Sequence, residues 1–364
     1  MARQFGGSRL EALTQLCLQC YGVGTLCAYA SVFGSSVASW RVEQCDPSVT
    51  LDVHCLETYD LSVMVFGAVV VALSFVDFGD QRIFQATLSA YRIASLVTVI
   101  VTALLKICQE DGLQKVSERA QTIGFFNYRS FGYGLGPTLL ALNCQYNMPD
   151  VLQPLRNKSE APYAAFGAQA VAALLYVCLG LVTALAFDEV HPLATLNWRY
   201  YGIHWGSSSF LSKYILRTLV LFSPVANVLS AYPLVGRTLA ENGLAALGSG
   251  VARTPKTVNC ARLLTTVPPI LLAVIFKHLA TVFSITGLFG LIVGLSVPAM
   301  LQIGSLLYCR RHFGVDPAAT LTPYSSKCIP PSTSLASLYL AFTLFATAIA
   351  VITLFLSARP ASAI

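Results

Sequence analysis

The sequence predicts an all-α, multi-pass transmembrane helical bundle, on three observations. Of its 364 residues, 55% are hydrophobic and 11% charged, with a mean hydropathy of +0.65, whereas a soluble domain carries about a quarter charged residues. The apolar residues gather into runs near the roughly 20 residues that cross a bilayer as a helix. The charged residues sit mostly in short gaps between those runs. The net charge of +6 therefore does not mark a nucleic-acid partner, which needs basic residues clustered on one face of a soluble domain.

About nine runs qualify as spans, at 13–39, 60–78, 84–108, 125–147, 162–187, 207–235, 261–278, 280–308 and 335–357. They form one membrane domain over 13–357, between a short N-terminus (1–12) and a tail (358–364). The first run follows Arg3 and Arg9 but is long for the apolar part of a secretory signal, so it reads as a retained helix. The second closes at Asp77. The third carries Arg92 about nine residues in, where an arginine snorkels or pairs. The fourth holds a G-x-G-x-G-P run, and the fifth ends just before Asp188. After the sixth, residues 236–260 read as a flexible cytoplasmic connector. The seventh is short and interrupted by Pro268 and Pro269; the eighth is glycine-rich and the ninth apolar throughout.

Lysine and arginine in the loops set the orientation, with their excess on the cytoplasmic side. With a cytoplasmic N-terminus the inner gaps hold Arg3, Arg9, Arg82, Arg156, Lys158, Arg237, Arg253, Lys256, Arg262, Arg310, Arg311 and Lys327. The outer gaps hold half as many: Arg41, Lys115, Arg119, Arg199, Lys277 and Arg359. Nine spans then place the C-terminus on the external or lumenal side, and both a plasma-membrane and an endolysosomal location fit. The sequon Asn157-Lys158-Ser159 falls on the cytoplasmic side, where it escapes glycosylation. Cys45 and Cys55 share an acidic outer loop, where an oxidising compartment would allow a disulfide between them.

Enzyme chemistry finds no support. Five histidines are scattered over loops and span ends, without H-E-x-x-H, paired-carboxylate, G-x-S-x-G or P-loop spacing. Cys17-x-x-Cys20 has no second Cys or His pair to complete a metal or redox site. No metal and no cofactor is expected beyond a possible coupling ion, Na+ or H+. The partners expected are the lipid bilayer and a small solute.

The fourth span carries the strongest candidate. Gly132, Gly134 and Gly136 precede Pro137 near its middle. Close helix packing explains Gly132 and Gly136, which have the G-x-x-x-G spacing. An unwound segment explains all four residues, because glycine admits dihedrals other residues avoid and proline suits the first turn of a new half-helix. Bare backbone at that depth survives where it lines a cavity or is buried in protein, and broken helices are how secondary transporters bind small polar solutes. Gly132, Tyr133, Gly134 and Gly136 are accordingly the expected site floor. In the sixth span Ser223, Asn227 and Ser230 fall at i, i+4 and i+7 on one helix face. They are candidate lining residues, or hydrogen-bonding glue between helices. Pro224 also deprives the Val220 carbonyl of its helical donor.

These residues also carry a resemblance. FNYRSFGYGLGPTLLALNCQYNMPDVLQPL, FGDQRIFQATLSAYRIASL, LVLFSPVANVLSAYPLVGRTL and SITGLFGLIVGLSVPAMLQ resemble the transmembrane protein 104 family. That family lies within the amino acid transporter branch (auxin permease and solute carrier family 38 relatives) of the amino acid/polyamine/organocation superfamily. Gln85 and Arg92 in the third span point most narrowly to it. The resemblance implies a LeuT-like fold of eleven helices in two inverted repeats, each opening with a broken helix. The nine spans then correspond to the third to eleventh helices, the first two having no counterpart here, and the fourth span to the second broken helix. It further implies transport of an amino acid or similar small solute, held between the two broken helices. The competing expectation is a membrane protein that senses a solute or scaffolds partners without transporting.

Overall fold

The computed structural model describes residues 2–42, 45, 52–76, 82–108, 112–123, 131–143, 148, 152, 155–188, 190–191, 193–200, 217–247, 251–314 and 332–357. Among them every regular element is helical. In order these are α1 (Ala2–Arg41), α2 (Val53–Phe75), α3 (Arg82–Lys106), α4 (Gly112–Ile123), α5 (Phe131–Leu142) and α6 (Ala161–Ala186). Then come α7 (Arg217–Leu221), α8 (Ser223–Ala246), α9 (Pro255–Ile275), α10 (Leu279–Leu291), a π-helical turn (Ile292–Ser296), α11 (Val297–Phe313) and α12 (Thr333–Ser357). Eight stretches of the described residues are long and apolar enough to cross a membrane. The chain is an all-α, integral multi-pass membrane protein.

Of the stretch 125–147, residues 131–143 are described, and α5 takes up 12 of them. The spans differ from expectation in two places. The connector after the sixth span is mostly helix. α8 continues to Ala246, and α9 begins at Pro255, with the Thr254 side chain accepting from the Thr257 amide as its N-cap. Pro268 and Pro269 lie inside α9 without ending it. A helix also appears where none was expected. α4 places Leu113, Val116, Ala120 and Ile123 at helical spacing. Its Arg119 closes the C-terminal end of α6, with Nη1 donating to the Leu185 carbonyl (3.0 Å) and Nε to Asp188 Oδ1 (2.6 Å).

The chain divides into two compact units, one of residues Met1–Tyr21, Asn127–Leu175 and Phe283–Ile364, the other of Gly22–Phe126 and Tyr176–Val282. In the second unit α2 and α9 run antiparallel, tied at successive levels. Tyr59 Oη donates to the Ala273 carbonyl (2.9 Å), the face of Gly67 lies against Ile270, and Arg262 Nη1 donates to the Ser74 carbonyl in the last turn of α2 (3.3 Å). A cation at a helix C-terminus also meets the negative end of its dipole. At the opposite end Lys277 pairs with Asp60 (2.8 Å). Phe66, fully buried, lies between Phe33 (4.6 Å) and Tyr232 (5.2 Å, edge-on), and Tyr232 Oη donates to the Thr266 carbonyl of α9 (2.7 Å). A second cluster gathers Val99, Ala103, Ala186 and Val220 around buried Trp198, whose Nε1 donates to Thr102 Oγ1 (2.7 Å).

In the first unit α12 packs against α5, the π-helical turn and α11. Ser296, at the end of the turn, and Thr343 of α12 are both buried and hydrogen-bonded to each other (3.2 Å).

Candidate functional site

The glycine run is not unwound. α5 is helical from Phe131 through Leu142, with Gly132, Tyr133, Gly134 and Gly136 in its first turns and Pro137 inside it. The reason is a backbone-to-backbone crossing with α10. A Cβ on Gly136 would stand 2.7 Å from the Ser284 Cα, and one on Gly287 would stand 2.4 Å from the Gly136 Cα. The contact exists because neither residue has a side chain, as in small-residue packing of membrane helices. The packing explanation therefore accounts for Gly136, whose partner across the contact is Gly287. Gly134 differs, since a Cβ there would meet nothing within 4 Å.

The end of the helix comes further along, at Leu142, with Asn143 outside it. Two side chains fix this end. Gln169 Nε2 of α6 donates to the Leu142 carbonyl (2.7 Å), satisfying an acceptor that the helix C-terminus leaves free. Asn143 Nδ2 donates to the Gly290 carbonyl of α10 (3.0 Å). A carbonyl can only accept, so the amide nitrogen must face Gly290, which turns Oδ1 the other way. That oxygen lies over Gly294, where a Cβ would come within 2.5 Å of it. Asn143 Oδ1 is buried and has no hydrogen-bond partner among the described residues. The buried ring of Tyr21 flanks the same spot, 2.8 Å from where a Gly290 Cβ would be.

The hydrogen-bond pattern of the π-helical turn near Asn143 leaves out helical donors. The Val297 amide donates to the Ile292 carbonyl, five residues back, instead of to Val293. The next residue is Pro298, which has no N–H to offer. The Val293 carbonyl thus lacks both its α-type and its π-type donor, and the Gly294 carbonyl lacks its α-type donor. Such π turns occur often at functional positions. Asn143 is the residue that sequence reading missed. Its signal is faint: the first polar side chain after GPTLLAL, paired with a glycine-rich helix that runs into Ser-Val-Pro.

In the second unit, the expected lining residues occupy the start of α8. Ser223 Oγ donates to the Val220 carbonyl (2.8 Å), so the acceptor freed by Pro224 is filled from within the helix. Ser230, buried, donates to the Asn227 carbonyl (2.8 Å) and accepts from Arg92 Nη2 of α3 (2.7 Å). Arg92 is accordingly a paired arginine whose partner is a hydroxyl. Asn227 is exposed. Cys45 and Cys55 form a disulfide, with Cα atoms 5.5 Å apart.

The sequence pattern of the family described as Transmembrane amino acid transporter protein matches residues 1–303. Similar proteins include a Transmembrane protein 104 homolog from Caenorhabditis elegans, 29% identical over 189 residues, and one from Caenorhabditis briggsae, 26% identical over 189 residues. Each of these alignments covers 51% of this chain and 36% of the relative. A Drosophila melanogaster homolog of the same name is 21% identical over 340 residues, 85% of this chain and 64% of the relative. The chain therefore spans between 36% and 64% of the length of the relatives it matches. Matched along most of its length, it belongs to the transmembrane amino acid transporter protein family.

Proposed function

We propose that the chain moves an amino acid or a similar small solute across the membrane by alternating access, with the solute held along α5 and at its Asn143 end. Family membership supports the class of activity. The observation that carries the location is the C-terminal end of α5 at Asn143, whose buried Oδ1 has no hydrogen-bond partner among the described residues. Helix ends at membrane depth persist where the backbone lines a cavity or is buried in protein, and the carbonyl end of a helix suits a cationic group such as an ammonium. Gly132, Tyr133 and Gly134 belong to the solute-facing part of α5 in this reading, with Gly136 holding the helix against α10. In the second unit, described by itself, the hydroxyls of Ser223 and Ser230 serve backbone carbonyls three residues back, and Asn227 is exposed. The N-terminus faces the cytoplasm and the Cys45–Cys55 loop the opposite side.

Uptake of radiolabelled amino acids into proteoliposomes tests this reading. Gly134→Phe is the diagnostic variant, because the added Cβ meets nothing and folding should survive. Uptake by the parent and its loss in the folded variant is the expected result. Undiminished uptake in Gly134→Phe would remove α5 from the solute path, and no uptake of any amino acid by the folded parent would remove the transport reading.

A further inference from the structure

We infer that Arg92 anchors a binding site for a small carboxylate, set at membrane depth in the second unit. The inference concerns that unit by itself and does not rest on the transport reading. Arg92 is exposed and stands ten residues after Arg82 in α3, about 15 Å along the helix. Its Nη2 donates to Ser230 Oγ (2.7 Å). Ser230 is buried and lies inside α8, seven residues after Ser223 and sixteen before Ala246. The guanidinium is therefore held against the interior of a spanning helix and does not snorkel to a headgroup. Ser230 in turn donates to the Asn227 carbonyl (2.8 Å), so its hydroxyl proton is committed and its oxygen is left to accept from Arg92.

What the guanidinium lacks is an anion. It carries five N–H donors and a permanent charge, and among the described residues the Ser230 hydroxyl is its partner, with no carboxylate paired to it. α3 contains neither Asp nor Glu. Glu241, the one acidic residue of α8, lies eleven residues past Ser230 and pairs with Arg237. A charged side chain within a spanning helix is costly in hydrocarbon, and such residues face the bundle interior or a watery cavity, where they mark the paths of solutes and ions. The shape of the donor selects the ligand. A planar carboxylate takes two parallel hydrogen bonds from the guanidinium fork, a geometry that a spherical halide cannot match. A single positive charge also balances a singly charged group. A phosphate ester with nearly two negative charges calls for a second cation, and Arg82 and Lys106 stand at the two ends of α3.

Phenylglyoxal, a water-borne reagent for guanidinium groups, tests the site on the purified full chain in detergent, with the adduct at Arg92 quantified by peptide mass spectrometry and exposed Arg310 as internal control. Arg92 should be modified, and propionate should slow its modification several-fold in a saturable way while Arg310 reacts unchanged. Propionamide, of the same shape without the charge, should give no protection, and chloride at equal concentration far less. Alanine and alanine amide separate the two sources of a carboxylate: protection by alanine alone assigns the site to an amino acid, and protection by both propionate and alanine to carboxylates in general, with alanine amide inactive in either case. Ser230→Ala, confirmed as folded by thermal melting, should leave Arg92 reactive and raise the half-protecting concentration about fivefold, the worth of one positioning hydrogen bond. The proposal is overturned if Arg92 of the folded parent resists the reagent, if neither propionate nor alanine protects it, if the amides or chloride protect equally well, or if Ser230→Ala leaves the half-protecting concentration unchanged. Amino acid uptake with no protection of Arg92 would remove this site and leave the transport reading standing; protection with no uptake would do the reverse.

Discussion

The two helix crossings at the heart of this chain are built by opposite means. Where α2 and α8 meet α9 in the second unit, side chains do the joining: aromatic rings fill the space, Tyr59 and Arg262 tie α2 to α9, Tyr232 ties α8 to α9, and Lys277, just past α9, pairs with Asp60 of α2. Where α5 meets α10 in the first unit, backbone touches backbone at Gly136 and Gly287, and just beyond the contact the buried Asn143 Oδ1 has no partner among the described residues. Membrane helices gain little from hydrophobic burial against one another, so packing and interhelical hydrogen bonds decide which contacts hold. The first crossing uses those resources for stability. The second keeps a polar atom in reserve, as a site for something other than protein must.

The contrast is sharpest for added methyl groups. Gly287→Ala would force a Cβ to 2.4 Å from main-chain atoms that cannot swing aside, so it should cost at least about 2–3 kcal/mol, the upper range for overpacking. Gly67→Ala in the α2–α9 crossing meets only the flexible Ile270 side chain, at 3.0 Å, and should cost under about 1 kcal/mol. Thermal melting of both variants in detergent makes the comparison. Equal losses would mean that the α5–α10 contact is as adaptable as its counterpart.

A smaller loss should follow from removing the tyrosine hydroxyls of the second unit. Tyr232→Phe leaves the buried Thr266 carbonyl without its cross-helix donor, and Tyr59→Phe does the same to Ala273. Each should lower stability by about 1 kcal/mol, with the melting temperature as readout. If neither variant melts earlier than the parent, the polar ties are incidental and ring packing alone holds that crossing.

Much of the membrane architecture was legible because hydropathy is a property of each segment by itself. Eight apolar stretches announce themselves in that way, and so does the acidic loop whose cysteines are joined. What a residue meets across space is not written locally. The G-x-G-x-G-P run looks like a helix breaker until Gly287 and Ser284 are placed against Gly136, whereupon it becomes the condition for a close crossing. Pro224 seems to free an acceptor until the Ser223 hydroxyl turns back onto it. Asn143 lies in an unremarkable polar stretch and gains its meaning from Gly290, Gly294 and Pro298, roughly 150 residues away along the chain. α4 escaped notice because its apolar positions are few and its docking depends on the far-off end of α6.

That docking yields the mildest effect and a test of whether the second unit's ionic ties matter at all. The hydrogen bond from Arg119, with help from the nearby lysines, holds the Asp188 carboxyl below its ordinary value of 3.8. A carboxylate with a depressed pKa in the folded state stabilises fully above its unfolded value and loses that contribution as pH falls through the folded one. Hydrogen-exchange protection of α4 should therefore decline only below about pH 4, while α5, which has no such pair among its described contacts, keeps its protection. Asp188→Asn should give the weakened α4 at neutral pH and abolish the acid-side change. Asp188 is 81% exposed, so screening should act on the pair, and molar salt at pH 7 should reproduce part of the loss. Unaltered α4 protection in Asp188→Asn would show that the Arg119 bond to the Leu185 carbonyl anchors the helix without help from the charge.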